Sequence, residues 1–234
     1  MRISKTKEVI NISHDNSLWL QFWRDQRNDF HQLALNPLLS KFWPGLGLAP
    51  GSRVFVPLCG KSLDMLWLLE QGHEVIGVEL SPVAVRAFFL ENHLKPVKQR
   101  VGKFTLWKHG KLSILCGDYF SLTPLELGVF DAVYDLAALT ALPEDIRQRY
   151  IVQLRLIVPE TAIIFLLTTE DAEENQTLSQ ALGVDEEINN LYSENFDIEL
   201  VCVESVFESA PDLLQQTAKR VEYKVYQVSG RLKK

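Results

Sequence analysis

Cysteine is scarce in this chain. Only Cys59, Cys116 and Cys202 occur among 234 residues. They are too few for a disulfide framework and lack the spacing of a zinc site, so buried thiols in a reducing cytoplasm and no metal are expected. Long apolar runs are also missing. None approaches the roughly 18 residues of a spanning helix, so no membrane association is expected. The opening MRISKTKEVINISHD lacks the apolar stretch of a secretory signal. Basic blocks are absent too. Lys and Arg number 24 against 30 Asp and Glu, for a net charge of −6, which argues against a nucleic-acid partner. Nor are there repeats or low-complexity linkers. The remainder, 47% hydrophobic and 23% charged, suits one globular domain. The expected organisation is a tail over 1–17 and a single domain over 18–230, cytoplasmic and monomeric.

The segment RVFVPLCGKSLDMLWLLEQGHEVIGVELS, Arg53 to Ser81, is the most patterned part of the chain. It reads as a buried strand over Arg53 to Leu58, a tight turn at Cys59-Gly60, a helix, a turn at Gly72 and a second strand ending at Glu79. In the helix, Leu63, Leu66, Trp67 and Leu69 approximate the 3.6-residue period of one buried face. Strand, glycine turn, helix and a strand tipped by a carboxylate is how a doubly wound α/β sheet grips a nucleoside-bearing cofactor. Glu79 follows Gly60 by 19 residues, close to the interval of about 20 at which such an acid meets ribose hydroxyls.

The glycine pattern separates possible ligands. A dinucleotide site uses G-x-G-x-x-G to admit a pyrophosphate, and PLCGKS has one glycine. A P-loop fails because only its last three positions, Gly60-Lys61-Ser62, are present. A cofactor with ribose and no phosphate, such as S-adenosyl-L-methionine, fits this turn better. The pattern by itself leaves other α/β uses of the unit open.

Elsewhere, helices are expected near Leu18 to Asp25, Pro37 to Phe42, Pro82 to His93, after Pro143 and over Asp185 to Tyr192. Strands are expected at Phe104 to Lys108 and Leu112 to Cys116, flanking a hairpin turn at His109-Gly110. Further strands are read at Phe130 to Tyr134, Ala162 to Leu167, Ile198 to Val206 and Val221 to Val228. Thr169 to Leu182 reads as an acidic, polar loop.

The runs VPLCGKSLDMLWL, GHEVIGVELS, CGDYF and FDAVYDLAALTALP, with an N-terminal Trp19, Trp23, Phe30 and His31, closely resemble the thiopurine S-methyltransferase family. The likeness extends from about Leu18 to about Tyr226. It implies a class I methyltransferase fold: a doubly wound, Rossmann-like, seven-stranded and mostly parallel sheet with a C-terminal antiparallel strand pair. It also implies S-adenosyl-L-methionine as methyl donor and a small thiol, or a related selenium or tellurium species, as acceptor. By the same resemblance, Trp19 to Phe30 is a lid carrying Trp19 and Trp23. The turn at Leu58 and Gly60 holds the methionine part, and Glu79 the ribose. Asp118 and Tyr119 lie against adenine, Leu136 lies near the cofactor, and Phe30 and His31 lie near the acceptor. No catalytic acid or base is assigned, because methyl transfer from a sulfonium needs mainly in-line positioning.

Each residue also has a structural explanation. Trp19 and Trp23, at i and i+4, share a helix face and can anchor it to the core. Asp118 can cap a helix, His31 can be a surface histidine, and Glu79 a solvated strand end. Three positions depart from the family pattern, all on the acceptor side. Asp135-Leu136 stands where the family has Asp-Arg, Asp29 replaces a small residue, and Ala181-Leu182-Gly183-Val184 replaces a Gly-Pro-Pro stretch. These departures leave two functions open: an active methyltransferase with an altered acceptor range, or a cofactor-binding sensor that has lost transferase activity. An NAD-dependent oxidoreductase is the third option.

Overall fold

The computed structural model describes residues 14–25, 32, 34–136, 138–171, 185–208 and 219–231. The expected Phe30, His31 and Asp29, and the stretch around 181–184, lie outside these residues.

Helix starts follow local chemistry. Helix α1 covers His14–Arg24, and α2 covers Pro37–Phe42. Asn36 caps α2, its side-chain oxygen accepting from Leu38 N at 2.9 Å, with proline at the first helical position. Strand β1 (Arg53–Val56) leads into α3 (Asp64–Glu70) and β2 (Glu74–Glu79). Ser81 caps α4 (Pro82–Glu91) with the same cap-then-proline device. Three antiparallel neighbours follow: β3 (Val97–Val101), β4 (Phe104–His109) and β5 (Leu112–Cys116). Then come α5 (Pro124–Leu127), β6 (Ala132–Leu136), α6 (Ala138–Ala141), α7 (Glu144–Ile157), β7 (Ile163–Asp171), α8 (Glu186–Tyr192), β8 (Phe196–Glu208) and β9 (Lys219–Gly230).

Among the described residues the strands form one sheet in the order β3-β4-β5-β2-β1-β6-β7-β9-β8. The centre, β5-β2-β1-β6-β7, is parallel, and β9 and β8 close one side antiparallel. This is the expected seven-stranded frame, extended at the β5 edge by β4 and β3. The sequence analysis did not anticipate β3. The chain order reverses at β1, which pairs with β2 on one side and β6 on the other. Such a switch point leaves a crevice at the carboxyl ends of the strands.

Both faces of the sheet are covered, and successive strand residues serve opposite faces. Phe55, Val133, Ile164 and Leu166 pack with Tyr150, Leu154 and Ile188 on the α7 and α8 side. Val54, Val56, Tyr134, Phe165 and Leu167 pack with Leu39, Leu68 and Phe88 on the α2, α3 and α4 side. The buried face of α3 is turned from the expected one. Asp64, Met65 and Leu68 are buried, whereas Leu66, Trp67 and Leu69 are only partly covered. The rotation is set by Asp64, whose carboxylate accepts from Asn36 N at 2.8 Å and from the Tyr134 hydroxyl at 2.7 Å. A carboxylate so bonded can be buried where an unpaired one could not. On the far side, Lys224 and Asp185 form a buried ion pair, Nζ lying 2.9 Å from both carboxylate oxygens. The Tyr226 hydroxyl donates to the same Asp185, tying β9 to the start of α8.

Candidate active site

A cavity of about 590 Å³ opens at the switch point, where β1, β2, β6 and β7 end. Its size falls within the range of small-molecule and cofactor sites. Every expected cofactor residue borders it: Trp19, Trp23, Leu58, Gly60, Glu79, Asp118, Tyr119 and Leu136.

The floor is the turn after β1. Leu58 holds φ +46° and Gly60 φ +52°. A left-handed conformation costs a non-glycine residue roughly 1–2 kcal/mol, so Leu58 must be held there by its surroundings. Gly60 is required for a second reason. A methyl group on its α-carbon would sit 3.3 Å from Trp23 Cζ2. Trp23, only 6% exposed, thus lies over the turn from α1.

Glu79 ends β2 at the cavity wall and is 6% exposed. Its Oε2 accepts from Gly60 N at 3.0 Å, and its Oε1 from Ser81 N at 2.7 Å. It is therefore no solvated strand end. Burial raises its pKa from 4.5 to about 7, against the opposing pull of the Ser81, Gly60 and Leu80 amides. Burial, and then the nearby Glu79, push the Cys59 thiol well above its usual range. Cys59 accordingly stays protonated and offers no nucleophile. All three cysteines are free thiols; Cys59 is buried as expected, whereas Cys116 and Cys202 are only partly covered.

Asp118 begins a short 3₁₀ turn over Tyr119–Ser121, its Oδ1 accepting from Phe120 N at 3.1 Å. It is a cap and a cavity residue at once. The Tyr119 ring is committed largely to the core. It stacks on Tyr150 with centroids 4.8 Å apart, and its hydroxyl donates to the Tyr150 carbonyl at 3.3 Å. Leu136 is half-buried at the end of β6. Its neighbour Asp135 is fully buried and accepts from the Tyr150 hydroxyl at 2.7 Å. Burial lifts that carboxyl to about 6.

Sequence reasoning missed several lining residues, among them Asn16, Gln32, Lys61, Leu80, Phe120, Leu142 and Thr169. Leu80 and Phe120 adjoin residues that were expected and follow from them directly. Leu142 and Thr169 required knowing that β6 lies beside β1 and β7 beside β6. Thr169 to Asp171 continue β7 instead of opening a loop. Lys61 is the one cation among the described lining residues, and its Nζ lies 2.9 Å from both carboxylate oxygens of Glu91. No group of His, Cys, Asp and Glu suited to a metal occurs among the described residues. No described helix is long and apolar enough to cross a membrane.

Comparison with known proteins decides the family. Residues 14–231 match the family described as Thiopurine S-methyltransferase (TPMT). The chain belongs to the thiopurine S-methyltransferase family. A relative named thiopurine S-methyltransferase from Stutzerimonas stutzeri is 63% identical over 218 residues, covering 93% of this chain and 92% of that protein. One of the same name from Nitrosospira multiformis is 43% identical over 209 residues, covering 89% and 94%. Solved structures with the same fold are distant in sequence. A SAM-dependent methyltransferase from Anabaena variabilis has a TM-score of 0.58 at 15% identity, covering 93% of this chain and 95% of that one. A 1,6-didemethyltoxoflavin-N1-methyltransferase from Burkholderia thailandensis, solved with S-adenosylhomocysteine, has a TM-score of 0.56 at 16% identity, covering 92% and 87%. The fold is that of class I methyltransferases, and the enzyme is an S-adenosylmethionine-dependent methyltransferase.

The cavity suits that cofactor. A single-glycine turn, a buried carboxylate with lone pairs to spare and an apolar wall from Leu80 and Phe120 lie around one space. The single-glycine turn and the buried acid suit a ribose better than a pyrophosphate.

Proposed function

We propose that this enzyme methylates a small thiol or a related soft nucleophile, sulfur first and selenium or tellurium species by extension, as a cytoplasmic monomer. The observation that carries the reading is Glu79, buried at the cavity wall beside the Gly60 turn. A carboxylate so placed accepts from ribose hydroxyls, while the backbone of Leu58, Cys59 and Gly60 receives the aminoacyl end. Asp118 and Tyr119 flank the base together with Leu80 and Phe120. Trp19 and Trp23 cover the site from α1. Leu136 faces the acceptor side, with Phe30 and His31 as acceptor contacts.

Bound S-adenosylmethionine supplies a methyl group already activated on a sulfonium sulfur. The chain's task is to hold acceptor and methyl carbon in line and to keep water out. An acidic thiol is ionised near neutral pH, so no general base is required. The Trp19 and Trp23 rings, with Leu136 and Leu142, supply apolar cover in which a weakly solvated thiolate reacts faster. The family's thiopurine acceptor is less favoured here, because Leu136 offers no countercharge to an anionic thiolate.

The test is calorimetry with S-adenosylmethionine, S-adenosylhomocysteine and NAD, followed by methyl transfer across a thiol panel. The two adenosyl ligands should bind and NAD should not. Tight NAD binding would overturn the cofactor reading. Cofactor binding without turnover of any soft nucleophile would favour the sensor module, the outcome that the missing arginine makes worth testing.

A further inference from the structure

Ribose recognition leaves part of the Glu79 geometry unaccounted for. Leu58 and Gly60 place two left-handed residues within three positions, and a leucine keeps such a conformation only when its surroundings fix it. The fixing groups come from the end of β2. Cys59 N donates to the Val78 carbonyl at 2.9 Å, and Gly60 N donates to Glu79 Oε2 at 3.0 Å. Among the described residues, that carboxylate is the acceptor found for the Gly60 amide.

The second oxygen of Glu79 is equally engaged. It accepts from Ser81 N at 2.7 Å, while the Ser81 hydroxyl accepts from Ala84 N and caps α4. One side chain thereby joins the turn after β1 to the first turn of α4. A carboxylate is suited to this because it only accepts, and each oxygen can take a second donor. Ribose hydroxyls can therefore be received without releasing either amide. A glutamine would present donors to at least one of the two N–H groups. Burial of the group strengthens both bonds relative to water.

We propose that Glu79 is a positioning residue as well as a ribose acceptor: its carboxylate holds the Leu58–Gly60 backbone in the shape that receives the aminoacyl end of the cofactor. This rests on the cofactor reading above and extends it to a part of the ligand that Glu79 does not touch.

The two roles separate with a pair of ligands, S-adenosylhomocysteine and its 2′,3′-dideoxy analogue, titrated into the wild-type protein and Glu79→Ala. A residue serving ribose alone would weaken only the hydroxyl-bearing ligand. The positioning role predicts that Glu79→Ala also weakens the dideoxy analogue by about tenfold, well below the variant's melting temperature and with an unchanged circular dichroism spectrum. Dideoxy affinity within about twofold of wild type would overturn the proposal. Should Glu79→Ala lose its fold, a second measurement uses the unaltered, ligand-free protein. Its Gly60 amide should exchange hydrogen at least about a hundredfold more slowly than an unstructured peptide. Exchange at the unprotected rate overturns the proposal without any variant. Should the wild-type protein bind neither ligand, the cofactor reading falls, and the Gly60 exchange rate still decides the strut.

Discussion

Lowering the pH from 8 to 5.5 should release the cofactor while leaving the ligand-free fold more stable. Both effects trace to Glu79, whose carboxyl sits at about 7 because burial disfavours its charge. Ribose hydroxyls donate best to the ionised form, so binding selects it. With a pKa of about 7, the ionised fraction falls about thirtyfold between pH 8 and 5.5, or roughly 2 kcal/mol of binding free energy. The folding effect has the opposite sign. A carboxyl raised in the folded state binds its proton more tightly there than in the unfolded chain. Stability is therefore highest below about 4.5 and declines as pH climbs towards about 7, by roughly 3 kcal/mol from this group. Asp135, lifted from 3.8 to about 6 chiefly by burial, adds a decline of the same sign over its own window. The assay is calorimetry with S-adenosylhomocysteine, which lacks the sulfonium charge, across that pH range. Denaturant unfolding of the ligand-free protein runs in parallel. Glu79→Gln should flatten the binding profile. An affinity that stays constant within about threefold, or tightens in acid, would refute the reasoning.

Two further outcomes follow from single side chains at the cavity. Leu136→Arg puts a guanidinium on the cavity wall, on the side proposed above for the acceptor, and should raise thiopurine turnover about thirty- to a thousandfold. Isotope-release kinetics should show this with cofactor affinity changed by no more than a few-fold, and slower turnover would show that position 136 works by another geometry. Gly60→Ala must hold φ +52° and press a methyl 3.3 Å from Trp23. It should destabilise the protein by about 1–2 kcal/mol in denaturant unfolding and weaken cofactor binding by at least about tenfold.

Local chemistry made much of the frame legible. Pro37, Pro82 and the turn at His109-Gly110 mark their elements in this chain much as they would in any other. The apolar run before Thr168 marked β7, and the Gly60-to-Glu79 interval marked two residues of the cavity wall. What escaped was set by distance in sequence. Val97–Val101 is polar in its middle and exposed at the sheet edge, so neither a buried run nor an alternation betrays it. The α3 face turned because a buried Asp64 finds Asn36 and Tyr134, partners 28 and 70 residues away. No hydrophobic count contains that information. Glu79 was found as a cavity residue by its spacing, but its bonds to Gly60 and Ser81 became visible only once β1 and β2 were laid side by side.

The position of β1 also orders events at the ribosome. It lies between β2, the next strand made, and a second partner, β6, made nearly eighty residues after it. The α1 tryptophans that border the cavity are made before any of its strands, whereas Thr169, which also borders it, belongs to β7 and is made well over a hundred residues later. An emerging chain therefore displays its tryptophans long before there is a crevice for them to cover. The cavity is complete only once β7 is in place, so a bound cofactor stabilises a late stage of folding.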